Sequence, residues 1–64
     1  MNRFYTPFQA GLKNIWIDSS ESHHIIHVKR LKIGDNIVLF NGMGTECNAE
    51  IVEINGNKVR VKAN

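Results

Sequence analysis

Asp18 to Asp35, DSSESHHIIHVKRLKIGD, decides how the chain is read, because it alone carries both a helix start and a helix stop. Asp18, with Glu21 three residues later, fits a capping box, in which each side chain satisfies one orphan N–H of the first turn. Wound at the α-helical period, the segment predicts a helix from Ser19 to Leu31 with His24, Ile25, Val28 and Leu31 on the buried stripe. Ser22, Ile26, Lys29 and Ile33 fall roughly opposite. Gly34 follows the last periodic residue, where a left-handed conformation costs glycine little, and Lys29, Arg30 and Lys32 complement the negative end of the helix dipole. His23, His27 and Arg30 make a third flank between those faces.

Outward from this helix the chain reads as short strands. Arg3-Phe4-Tyr5 is a β-prone piece that Pro7 stops or confines to an edge, since proline cannot donate to a ladder. Gln9 to Asn14 contains Gly11 and mixed polarity and is predicted as loop, and Ile15-Trp16-Ile17 is a second strand that runs into the helix cap. After the helix, Asn36 to Phe40 is closed by Asn41-Gly42-Met43-Gly44, residues that tolerate positive φ and predict a hairpin. The return strand, Thr45 to Ile54, changes phase partway, which predicts a bulge near Ile51. Asn55-Gly56-Asn57 makes a second tight turn. Lys58 to Lys62 then alternates, with Val59 and Val61 inward and Lys58, Arg60 and Lys62 outward. Five or six short strands with one helix indicate a mostly β fold, a small antiparallel barrel.

Length and composition restrict function further. A chain of 64 residues makes one small domain. A domain of this size buries only about 60% of the surface its unfolded chain exposes, so a large enzyme pocket is not expected. No apolar run is long enough for a membrane span, and MNRFYTPFQ lacks the pattern of a secretory signal, so a cytoplasmic location with no membrane partner is expected. The one cysteine, Cys47, reads as a small apolar strand residue and not as a nucleophile or zinc ligand. The formal charge is only +2, but six of the eight basic residues fall into two clusters, Lys29/Arg30/Lys32 and Lys58/Arg60/Lys62.

The succession Arg3-Phe4-Tyr5, His23-His24, Val28-Lys29-Arg30-Leu31-Lys32-Ile33-Gly34-Asp35, Phe40-Asn41-Gly42 with Gly44, and Ala49-Glu50-Ile51 resembles the N-terminal domain of the RsmE family. Lys29 stands where that family usually has leucine, and Tyr5, Asn41 and Cys47 replace what are more often phenylalanine, aspartate and an aromatic. The family comprises ribosomal RNA small-subunit methyltransferases that modify N3 of a uridine using S-adenosylmethionine. The resemblance implies that residues 1–64 are a single PUA-like β-barrel that helps bind RNA. It also implies a trefoil-knotted SPOUT domain after Asn64, carrying catalysis, the cofactor site and homodimerisation. On this reading the chain itself holds no catalytic residue, cofactor or metal, and its partners are the ribosomal RNA of the small subunit and the catalytic domain in cis.

The residues nominated for RNA contact are Arg3, His23, His27, Lys29, Arg30, Lys32, Lys58, Arg60 and Lys62. Each group also has a plainer account. His23 and His27 have the spacing of a two-ligand zinc site, but no third ligand is placed by sequence. His24 is expected as a core histidine bonded to a backbone carbonyl. Lys29, Arg30 and Lys32 compensate a helix end or contact RNA, and Arg30 could instead pair with Glu46 or Glu50. Lys58, Arg60 and Lys62 protect an edge strand, or form a row about 7 Å apart suited to phosphates. Phe4, Phe8 and Trp16 are claimed by the core, leaving Tyr5 as a base-stacking candidate. The alternative to an RNA-binding module is a small scaffold in which Trp16 and Phe8 dock against a neighbouring protein surface.

Overall fold

The computed structural model describes residues 2–8, 11 and 13–63. Of the loop expected between Gln9 and Asn14, residues 9, 10 and 12 lie outside that set. Five strands, β1 (Arg3–Tyr5), β2 (Asn14–Ile17), β3 (Asn36–Phe40), β4 (Glu46–Asn55) and β5 (Lys58–Ala63), form one curled sheet in the order β1-β3-β4-β5-β2. Neighbours are antiparallel except β1, which runs parallel to β3 with Phe4 opposite Leu39. The result fits a small β-barrel, as the strand pattern predicts, and the PUA-like form that the family resemblance implies.

Turn chemistry sets the registers. The Asn41 side chain accepts the N–H groups of Met43 at 2.8 Å and Thr45 at 3.3 Å, holding the loop between β3 and β4. Gly42 and Gly44 supply the positive φ values of 76° and 87° that this loop requires. The predicted bulge is present: Ile51 pairs with Val61 and Glu53 with Arg60, leaving Val52 as the extra residue. Inward alternation on the strands then assembles Phe4, Ile17, Leu39, Ile51, Val59 and Val61 into a fully buried core, joined by Ile25 from the helix. Burying a side chain of this size is worth roughly 1.5–3 kcal/mol.

The helix departs from its predicted geometry in three ways. Glu21 N–H donates to Asp18 Oδ1 at 2.9 Å, but the reciprocal half of the capping box does not form, because the Glu21 carboxylate accepts the Tyr5 N–H of β1 at 3.0 Å. The α-helix α1 (Ser19–His23) then widens into a π-helical turn over His24–Val28, where Lys29 N–H reaches the His24 carbonyl at 2.9 Å. The stop is Arg30, at φ 55°, and not Gly34, which lies in the following turn. A π turn advances each residue through a smaller angle, so Val28 swings out to 60% exposure. The buried face is therefore Ser22 and Ile25 with Ile26 partly covered, while Leu31 packs only partly against the core.

Ser22 is fully buried, its hydroxyl donating to the Ile17 carbonyl at 3.0 Å and accepting from the Val59 N–H at 3.1 Å. Glu21 thus holds one edge strand of the sheet and Ser22 the other, so that the helix spans the gap between them. Beyond it, the Lys32–Asp35 turn docks on β4 through Gly34 N–H to the Ile51 carbonyl at 2.8 Å and Ile51 N–H to the Asp35 carbonyl at 2.9 Å. Among the described residues no helix is long and apolar enough to cross a membrane.

Candidate nucleic-acid interface

Period-2 alternation places Lys58, Arg60 and Lys62 on the outer face of β5, opposite the buried Val59 and Val61. This strand lies between β4 and β2 and is not an edge, so protection of an edge does not account for its cations. Its neighbours shape the local charge. Glu50 stands opposite Lys62 and Glu53 opposite Arg60 on β4, and Asn14 and Trp16 face Lys62 and Arg60 from β2.

Arg60 is committed to these neighbours. Its Nε donates to Glu53 at 2.9 Å, a terminal nitrogen donates to Asn14 Oδ1 at 2.9 Å, and its guanidinium lies 5.9 Å from the Trp16 ring centroid. Lys58 and Lys62 are exposed and form no ion pair among the described residues. Trp16 was expected in the core and is instead 49% exposed, because Ile15 and Ile17 take the inward positions of β2. That alternation was itself a signal in the sequence, and it identifies Trp16 as the outward aromatic. Tyr5 is also outward, whereas Phe4 and Phe8 are buried.

The second basic cluster is less constrained. Lys29, Arg30 and Lys32 are all exposed at the end of the π turn, and Arg30 has no ion pair among the described residues. The partners considered for it are differently engaged: Glu46 pairs with Arg3, and Glu50 faces Lys62. Arg3 also lies 5.3 Å from the Phe40 ring centroid, so of the nominated residues it and Arg60 carry neutralised charge. His23 and His27 are exposed and brought together, their ring centroids 4.7 Å apart. His24 is half-buried and meets Phe4 edge-to-face at 5.9 Å, in place of the expected bond to a carbonyl.

Among the described residues, no group of three metal-ligating side chains converges, and every buried side-chain polar atom has a hydrogen-bond partner.

Residues 17–64 match the family model described as the RNA methyltransferase PUA domain. No curated protein matches the chain. Among solved structures, it is similar to a putative methyltransferase from Legionella pneumophila in complex with S-adenosylmethionine, with 26% identity and a TM-score of 0.87 over 95% of this chain and 26% of that one. A probable rRNA-methyltransferase from Porphyromonas gingivalis is 25% identical with a TM-score of 0.85, over 100% of this chain and 26% of the other. The ribosomal RNA small-subunit methyltransferase E of Neisseria gonorrhoeae, bound to S-adenosyl methionine, shares the fold at 23% identity and a TM-score of 0.85, over 98% and 26% of the two chains. The chain thus spans about a quarter of the length of these proteins.

Proposed function

We propose that this chain, which belongs to the RNA methyltransferase PUA domain family, is the RNA-binding N-terminal module of an S-adenosylmethionine-dependent 16S ribosomal RNA (uridine-N3) methyltransferase. Its role is to hold ribosomal RNA of the small subunit for a catalytic SPOUT domain following Asn64, in a cytoplasmic homodimer. The observation that carries the reading is the pair of lysines, Lys58 and Lys62, that form no ion pair among the described residues, on a strand whose interior position removes the plainer account of their charge. The exposed Lys29, Arg30 and Lys32 add a second group of phosphate donors. Contacts of this kind supply affinity and orientation, while the base to be modified is chosen elsewhere.

The test has two parts. Binding of small-subunit ribosomal RNA by this chain should fall steeply with salt, as release of counterions from phosphates demands. Methylation of small subunits by the longer protein should place the methyl group on N3 of a uridine, read by mass spectrometry of the nucleosides. Exposed Val28 and Ile33, flanking the basic run at 60% and 63%, favour the scaffold reading as the alternative. Failure to bind RNA even at low ionic strength would select that alternative.

A further inference from the structure

We infer that Trp16 and the groove beside it form a stacking platform for an unpaired base of single-stranded RNA, with Lys58 and Lys62 taking the flanking phosphates. The inference rests on the RNA-binding reading and adds to it a position and a strandedness. Trp16 presents an exposed indole on an otherwise polar outer face, and it also walls a groove of about 350 Å³ with Thr6, Pro7, Asp18, Ser19 and Lys58, in which the Asp18 carboxylate caps the helix through the Glu21 N–H. A planar aromatic beside such a depression can take the face of a base, and every base has such a face. In a duplex both faces of a base are covered by its neighbours, so an indole of this kind selects RNA that is unstacked.

Arg60 has a distinct part in this arrangement. Glu53 and Asn14 hold its guanidinium over the indole, so its charge is already matched and its geometry set. It positions Trp16, and the ammonium groups of Lys58 and Lys62 on either side of it along β5, which form no ion pair among the described residues, are left to meet phosphate. Cations about an exposed tryptophan also argue against a protein surface as the occupant, because charged residues are depleted at the centres of protein interfaces.

Trp16 is the only tryptophan in the chain, so its fluorescence reports this site alone. The chain is titrated with single-stranded oligoadenylate of about ten nucleotides, within the usual site sizes of such modules, and with inorganic polyphosphate, which offers phosphates without bases. Oligoadenylate should quench Trp16, and polyphosphate should compete with it without quenching. Trp16→Ala should weaken oligoadenylate binding about tenfold and leave polyphosphate binding unchanged, and Trp16→Phe should restore most of the loss. Oligoadenylate binding without quenching and unaffected by Trp16→Ala would overturn the stacking platform while leaving the RNA-binding reading in place. Equal quenching by polyphosphate would overturn it as well. Binding of neither polymer at low salt would remove the RNA-binding reading and this inference together.

Discussion

The carboxylate of Glu21 accepts the backbone N–H of Tyr5 at 3.0 Å, tying the first turn of the helix to an edge strand that pairs on its other side only with β3. A bond to a charged acceptor that is partly exposed contributes about 1 kcal/mol. Glu21→Ala should therefore lower the melting temperature by roughly 4–8 °C, as expected for a domain of this size. Glu21→Gln, which keeps an acceptor, should lose less. Thermal melts of the two variants make the comparison, and equal melting of Glu21→Ala and wild type would dismiss the tie.

Ser22 holds the opposite edge. Replacing it with alanine removes the partner of the Val59 N–H and of the Ile17 carbonyl in a site with no access to water. An unsatisfied buried group costs about 1–3 kcal/mol. The urea midpoint of Ser22→Ala should drop accordingly with an unchanged slope, since the surface exposed on unfolding is the same.

Arg30 combines an exposed charge with a left-handed backbone, φ 55°, that costs a non-glycine residue roughly 1–2 kcal/mol. Arg30→Ala keeps that cost and should change stability little. Arg30→Gly relieves it and should raise stability by a smaller amount, because glycine also loosens the unfolded chain. Both should weaken RNA binding equally and reduce the salt slope by about 0.7, the value for one phosphate contact on a single strand. Unequal RNA affinities would show that the backbone at this position, and not the charge, matters for binding.

Lys58, Arg60 and Lys62 should separate in the same measurements. Lys58→Ala and Lys62→Ala should each lower the salt slope and leave melting unchanged. Arg60→Ala breaks a partly exposed ion pair, worth at most about 1 kcal/mol, and should act mainly on stability. A larger loss of salt slope for Arg60→Ala than for either lysine would reverse these assignments.

Partial burial of Cys47 raises its thiol pKa above the ordinary 9.0 by desolvating the thiolate. In the folded state the proton is therefore held to higher pH than in the unfolded chain. The unfolded state binds fewer protons in that window, so the contribution to stability is complete below pH 9.0 and is lost as pH rises through the folded pKa. Urea midpoints followed upward from pH 8 should fall for the wild type and fall less for Cys47→Ala. Slow reaction with a thiol reagent at pH 8 is a second expected outcome.

Several features of this domain were legible as pattern. Ile15 and Ile17, Val59 and Val61, and the change of phase at Ile51 follow from the two-residue repeat of a strand, which steric geometry imposes whatever the sheet becomes. Asp18 marks the start of the helix for an equally local reason, since its side chain caps a turn within three residues. Trp16 lies in the same repeat, and its outward phase, not its apolar character, decides its exposure.

The strands, their inward residues, the turns and the helix start are local properties of the chain, because each depends on neighbours a few positions away. Where Glu21 and Ser22 make their bonds depends on long-range packing, since Tyr5 and Val59 reach them through the closing of the sheet. The same holds for the parallel pairing of β1 with β3 and for the interior place of β5. The widened turn at His24–Val28, the left-handed Arg30 and the exposure of Val28 belong with these, because a helix wheel assumes one period and packing against the sheet selected another. Which cations are paired among the described residues was likewise settled in three dimensions: Glu53 and Glu46 reach Arg60 and Arg3 across strands, and no spacing along the chain brings those charges together.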